Sequence, residues 1–492
     1  MTSVTIVWLR ADLRVSDHPA LHAAASDQRP VIPVYVLDDQ APGQWRMGGA
    51  SRWWLHHSLQ SLAGDLAARG TSLVLRRGDA VEVIAELIRE TGARAVYWNC
   101  HVEPHWRTAE RRLKSDLEGR GVEAREFPAS LLFQPGTIVS QKGAPLKVFT
   151  PFWKTCLASR PPATPLPAPE RLTGLNPPPG TDDLDAWELC PSKPDWAGGL
   201  RETWRPGEAN AVARLQAFLE EDVSEYGKLR DRPEPTATSM LSPYLHFGEI
   251  SPRQIWHATR MEMDARPASY AGGEAFLREI GWRDFCAHLL ERNPTMAEAP
   301  MQARFERFPW AEDPDGLAAW QQGRTGYPIV DAGMRQLWRT GWMHNRVRMI
   351  AASFLVKDLL LAWQQGEAWF WDTLVDADMA NNSGGWQWVA GCGADAAPYF
   401  RVFNPILQGE KFDPGGDYVR SWVPELADLP DRWIHRPWDA SPLELEAAGI
   451  RLGSTYPLPI VDHRAARDRA LAAFEAVKSS GTKNQIAEKE WQ

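Results

Sequence analysis

Four short apolar runs in the first hundred positions restrict this chain more than any other feature. They are residues 4–9 (VTIVWL), 31–38 (VIPVYVLD), 71–79 (TSLVLRRGD) and 93–99 (ARAVYWN). Their apolar residues are consecutive rather than alternating, which is the pattern of strands covered on both faces. Helical periodicity separates them, clearest at 51–70 (SRWWLHHSLQSLAGDLAARG) and 80–91 (AVEVIAELIRET). Strands alternating with helices predict an α/β domain with a doubly wound parallel sheet. We expect it to span residues 1–135. A proline-rich, poorly periodic stretch over 136–204 reads as an extended linker. Residues 205–492 show long helical patterns, such as RVRMIAASFLVKDLLLAW and RAARDRALAAFEAVK, and predict an all-α C-terminal domain.

A chain of 492 residues, 44% of them hydrophobic, has enough apolar material for more than one core. Its net charge of -9 argues against a generally basic nucleic-acid coat but leaves room for a local basic patch. Cys100, Cys156, Cys190, Cys286 and Cys392 are scattered and form no C-x-x-C pair, so neither a disulfide framework nor a metal site is expected, and a reducing cytoplasm fits. MTSVTIVWLRADLR lacks the apolar run of a signal peptide, and the apolar run MIAASFLV stops at Lys357, too short to cross a membrane. The unusual number is 25 tryptophans, which points to stacking, electron transfer or a very aromatic core.

Four segments concentrate chemistry. In YGKLRDRPEPTATSMLSPYLHFGEIS (226–251), Thr238, Ser239 and Ser242 form a hydroxyl cluster before a helix starting near Ser251. Hydroxyls and backbone N–H groups there suit a pyrophosphate; the competing account is a capping turn. In FLREIGWRDFC (276–286), Glu279, Trp282, Arg283 and Cys286 share one helical face. The competing account is a surface Glu–Arg pair beside a core Trp. In GWMHNRVRMIAASFLVKD (341–358), Asn345, Arg348, Met349 and Ala352 share a face, and an amide there can bond an imide edge. Arg346 points elsewhere, towards a phosphate, and His344 reads as a core histidine. In VDADMANNSGGWQW (375–388), Asp376 and Asp378 can accept ribose or ribityl hydroxyls. The later GCGADA echoes a dinucleotide fingerprint but follows no strand, so it carries nothing.

Together with TGYPIVDAGMRQL, APYFRVFNPILQGEKFD, WLRADLRVSDHPAL and YPLPIVDH, these segments resemble the photolyase/cryptochrome family along nearly the whole chain. The resemblance implies an α/β domain, a long linker and a helical domain holding a folded FAD. It assigns Tyr226, Thr238, Ser239, Met240, Leu241 and Ser242 to the phosphates and ribityl chain. Arg283, Arg348, Asp376 and Asp378 would hold the flavin, with Arg348 paired to Asp376. Asn382 would face its reactive nitrogen, where plant cryptochromes carry Asp, and so fits a fully reduced anionic flavin. Glu279, Trp282, Asn345, Met349 and Trp388 would form the lesion pocket, with Glu279 and Asn345 also counted at the flavin. Arg230, Arg346, Arg401, Gln408 and Lys411 would grip the DNA backbone, and Trp386, Trp363 and Trp310 would form the electron chain that runs from the flavin to the surface and feeds the flavin.

The arrangement N-R-x-R-M at 345–349 favours cyclobutane pyrimidine dimers in UV-damaged DNA over six-four photoproducts, which usually go with a His pair. The expected enzyme is a monomeric, cytoplasmic deoxyribodipyrimidine photo-lyase. An antenna is also implied. Some folate-binding relatives have Asn-Glu where this chain reads His105-Trp106, and methenyltetrahydrofolate is the expected pigment. The alternative is a blue-light receptor cryptochrome without repair. Asn382 and the short segment after His463 oppose it. A Rossmann-like oxidoreductase is opposed by the missing Gly-rich loop after the first strand.

Overall fold

The computed structural model describes residues 3–233, 238–395 and 400–489, with side chains to residue 478. Contacts gather the chain into two compact units. One comprises Met1–Gly227, Thr238–Pro294 and Val375–Ala380; the other comprises Lys228–Ala237, Thr295–Leu374 and Asn381–Gln492.

The first unit begins β1 (Thr5–Leu9), α1 (Pro19–Ser26), β2 (Val31–Leu37), α2 (Gly49–Ala68), β3 (Val74–Arg77), α3 (Ala80–Thr91), β4 (Ala95–Asn99), α4 (Pro104–Arg120) and β5 (Glu123–Phe127). The five strands are parallel in the order β3-β2-β1-β4-β5, with Thr5 opposite both Val31 and Ala95. The four strands expected from sequence are present, and β5 is an addition. Its sequence, EAREF, has no apolar run, because it lies at the sheet edge with its residues exposed or half-buried. Charge on an edge strand also discourages pairing with another chain. Helix α3 is delimited chemically. Asp79 Oδ1 accepts from the backbone N–H groups of Val81 and Glu82 at 3.0 and 3.1 Å, and Gly92 ends the helix at φ 66°. Ile6, Trp8, Val34, Val96, Trp98 and Leu113 belong to one buried cluster between sheet and helices.

The proline-rich stretch hydrogen-bonds to this unit. Val31 N donates to Thr173 O (2.8 Å), Leu172 N to Arg69 O (2.7 Å) and Asp182 N to Leu75 O (2.8 Å). The helices Pro252–Ala265 and Tyr270–Arg292 complete the unit's later part.

The second unit is helical, with Pro328–Thr340, Asn345–Ser353, Trp363–Thr373, Pro405–Phe412 and the long His463–Lys489. One buried carboxylate ties its parts together. Asp331 accepts from Thr325 N (2.7 Å), Thr325 Oγ1 (2.6 Å), Gly326 N (3.0 Å) and Tyr456 Oη (2.7 Å). Lys357 does not end a buried run, as its charge suggests in sequence. It is itself buried, with Nζ 3.2 Å from the Phe400 ring centre. Among the described residues, no helix is long and apolar enough to cross a membrane.

Candidate functional site

Several expected site residues lie in the first unit. Glu279, Trp282, Arg283 and Cys286 all fall on Tyr270–Arg292 and are all half-buried, so the shared face read from spacing exists. Trp282 is backed by Phe149, whose ring stacks on it at 3.7 Å and 9°. Arg283 Nη1 donates to Ser130 O at 2.7 Å, which fixes the guanidinium on that face. Tyr226 is buried edge-on against Phe218 and Phe276 at 5.4 and 5.7 Å.

Ser251 caps Pro252–Ala265 in a capping box with Gln254, whereas Thr238 Oγ1 is buried with no hydrogen-bond partner among the described residues. Ser239 O accepts from Arg214 Nε at 3.0 Å. Met240 sits at φ 49°, a left-handed conformation that costs a non-glycine residue about 1 kcal/mol or more and concentrates at ligand sites. Asp378 N donates to Asp376 O at 2.8 Å, folding the two carboxylates into one turn.

The other expected residues lie in the second unit. Asn345, Arg346, Arg348 and Met349 stand on the first turns of Asn345–Ser353. His344 caps that helix, its Nδ1 accepting from Arg346 N at 3.2 Å, and burial pushes its imidazole down to about 4. It is therefore neutral and structural. Arg346 lies 4.5 Å and Lys411 Nζ 4.8 Å from the Phe412 ring centre, so two of the expected DNA cations share one aromatic platform. Arg346 Nη2 also pairs with Asp231 Oδ1 at 2.8 Å, next to Arg230. Gln408 is half-buried one turn before Phe412. Trp388 and Arg401 line one pocket with Ser353, Lys357, Phe400 and Phe403. Arg348 Nε donates to Met343 O at 2.7 Å.

Asn382, Trp386 and Trp388 ride on Met379–Ala390. Trp386 is buried against Phe370 at 5.0 Å, on the helix that also carries Trp363. Gly366 permits this approach, since a Cβ there would come 2.1 Å from Trp386 Cη2. Trp363 is buried, and Trp310 is half-buried beside Phe308 at 4.3 Å.

Sequence reading missed a buried ionisable cluster at the C-terminal ends of β1 and β4, where the strand order reverses. Such switch points form ligand crevices in open parallel sheets. Arg10 Nη1 pairs with Glu110 Oε1 at 2.8 Å, and its guanidinium lies 4.2 Å from the Trp8 ring and 5.4 Å from that of Trp106. Trp106 is therefore core, while His105 is half-buried and tilted against it at 4.6 Å. Burial, reinforced by Asp378, pushes the Glu103 carboxyl up to about 8. Between roughly 4.5 and 8 the folded chain then holds a proton that the unfolded chain has lost, so this group makes stability fall as pH rises. Glu103→Gln is expected to flatten that fall. Urea midpoints compared across this range check it, and parallel curves for the two proteins would refute it.

Comparison with known proteins matches the two halves to one family. Residues 5–170 match the DNA photolyase domain, and residues 276–476 match the FAD binding domain of DNA photolyase. The chain belongs to the photolyase/cryptochrome family. Its fold, a five-stranded parallel α/β domain followed by a helical FAD-binding domain, is that of photolyase structures. The deoxyribodipyrimidine photo-lyase of Agrobacterium fabrum is 49% identical over 97% of this chain and 99% of that protein. Cryptochrome-1 of Arabidopsis thaliana is 41% identical over 93% of this chain and 68% of its own length. The crystal structure of a bacterial class III photolyase from Agrobacterium tumefaciens matches with a TM-score of 0.94 at 49% identity, covering 97% of this chain and 98% of that one.

Proposed function

We propose that this photolyase-family chain repairs cyclobutane pyrimidine dimers in DNA, driven by light through a reduced FAD. The observation that carries the reading is the half-buried face of Tyr270–Arg292. There Trp282, stiffened by Phe149 at 3.7 Å, stands one turn from Glu279 and beside Arg283. An aromatic wall with a carboxylate and a guanidinium suits a flipped-out pyrimidine pair, whose faces stack and whose imide edges hydrogen-bond.

The residues fit FAD. The unpartnered Thr238 Oγ1 and the left-handed Met240 support assigning the phosphates and ribityl chain to them, with Tyr226, Ser239, Leu241 and Ser242. Arg283, Arg348, Asp376, Asp378 and Asn382 would hold the ring system. When bound, FAD supplies the photoexcited electron and takes it back after the dimer splits. The protein's own residues orient and exclude water: Trp282 and Trp388 wall the lesion, and Glu279, Asn345 and Met349 meet its edges. No nucleophile or general base is required. Blue-light illumination of dimer-containing oligonucleotide with the reduced protein tests this directly. Dimers that persist equally in light and dark would sink the reading.

The backbone grip is assigned to Arg230, Arg346, Arg401, Gln408 and Lys411. Because Asp231 already holds Arg346, the arginine must share itself between carboxylate and phosphate. Arg346→Ala is expected to weaken binding and to lower the salt slope by about 0.9, one phosphate's share. Asp231→Asn is expected to tighten it. Titrations at several salt concentrations check both, and an unchanged slope in Arg346→Ala contradicts the phosphate role.

The antenna we assign is methenyltetrahydrofolate, on the likeness to plant cryptochromes and related photolyases. With Trp106 in the core, its contacts would have to differ from an Asn-Glu pair. An absorption spectrum of purified protein lacking a folate band would refute it. A monomer in the cytoplasm completes the reading, in keeping with five free cysteines. The cryptochrome alternative has the 41% identity to Arabidopsis cryptochrome-1 in its favour and Asn382, an amide in place of an acid, against it.

A further inference from the structure

Glu367 is buried with no exposed surface, one turn after Trp363. Its backbone carbonyl accepts from Asn382 Nδ2 at 3.1 Å, and Ser383 Oγ donates to its Oε1 at 2.5 Å, while Oε2 has no hydrogen-bond partner among the described residues. The same helix meets Met379–Ala390 at the neighbouring positions Gly366 and Phe370, both against Trp386. The contact is therefore made by three positions within two turns of the helix rather than by one isolated bond.

A carboxylate here would have a single donor and no cation, and an unpaired buried charge costs several kcal/mol. Burial accordingly pushes the Glu367 carboxyl well above the usual carboxylate range. Burial with one donor, Ser383, favours the neutral acid.

The second consequence concerns the amide. A backbone carbonyl can only accept a hydrogen bond, so the Asn382 atom facing Glu367 O must be nitrogen. This settles the amide's orientation by chemistry rather than by choice of fit. With Nδ2 tied back, Oδ1 is the end left to present elsewhere.

We propose that Glu367 is a positioning residue: as a neutral acid anchored to Ser383, it holds its own carbonyl where it turns Asn382 so that an acceptor oxygen faces the flavin. This rests on the flavin reading given above. An acceptor-only oxygen favours a ring edge that carries a proton, and so favours reduced over oxidised FAD. The acid missing at residue 382 is thus present one helix away, as support for the amide.

The test uses the full chain and three variants. In the apo-protein at pH 8, where Glu103 is still partly protonated, the infrared band of neutral carboxylic acids should lose one component in Glu367→Gln. A parent-minus-variant difference spectrum without that component would overturn the neutral acid. With FAD bound, the preference for reduced over oxidised flavin should fall roughly tenfold in Glu367→Ala, the equivalent of losing one hydrogen bond. It should stay within about twofold in Glu367→Gln, whose neutral amide can replace the acid. Ser383→Ala, a milder change should Glu367→Ala fail to fold, is expected to shift the preference in the same direction. If Asn382→Ala shifts the preference and the Glu367 and Ser383 variants do not, the positioning role is wrong and the flavin reading stands. If the parent protein binds no FAD, that reading fails and takes this one with it.

Discussion

Trp386→Phe is expected to slow photoreduction of oxidised flavin by an order of magnitude or more, equivalent to about 1.4 kcal/mol or more in the barrier. Repair by chemically reduced flavin should change by no more than about twofold. The split follows from what the substitution keeps and removes. Phenylalanine preserves most of the packing against Phe370 and over Gly366, but a benzene ring is far harder to oxidise than an indole. On the proposed path from Trp310 and Trp363, an electron can then no longer step through this position. Repair borrows and returns an electron between flavin and lesion, so it does not draw on this chain. Flash photolysis under a sacrificial donor measures the first rate, and dimer loss with dithionite-reduced protein measures the second. Equal photoreduction in both proteins would remove Trp386 from the path, and equal loss of both activities would mean that the substitution damaged the fold.

Asp331→Ala should produce the largest loss of stability, about 3–5 kcal/mol, the scale for breaking a buried hydrogen-bonded carboxylate cluster. This side chain accepts four hydrogen bonds from Thr325, Gly326 and Tyr456, and alanine leaves those donors buried without an acceptor. Asp331→Asn keeps the shape but turns a donor towards other donors, and is expected to recover little. Thermal unfolding followed by far-ultraviolet circular dichroism measures both. A loss below about 1 kcal/mol would show that the cluster relaxes onto water.

The elements legible in sequence were those whose residues report their own surroundings. Consecutive apolar residues in β1, β2 and β4 announce strands covered on both faces, and the spacing of Glu279, Trp282 and Arg283 announces one side of a helix. Strand β5 was illegible because an edge strand need not be apolar. Glu367 was illegible for a different reason: in WQQGEAWF it reads as an ordinary solvated helix residue, and only Ser383, sixteen positions later, reveals its burial. Lys357 was misread because a lysine in an apolar run looks like its end. Here the run continues around it, and the Phe400 ring, far along the chain, takes the place of water. Phe149, the support behind Trp282, lies outside every motif and carried no signal. What sequence missed is tertiary backing: Phe149 behind Trp282 and Ser383 against Glu367.

Val375–Ala380 belongs to the first compact unit although it follows Pro294, that unit's preceding segment, by about eighty residues. On the ribosome those intervening residues take roughly 4–16 s to make. Until they are made, the first unit lacks Asp376 and Asp378, two carboxylates assigned to the flavin. A nascent chain can therefore close its parallel sheet early, yet the cradle proposed for the cofactor stays incomplete until more than three quarters of its length has been synthesised. Loading of the pigment is in that sense a late event in the life of the polypeptide, timed by where six residues fall in the order of translation.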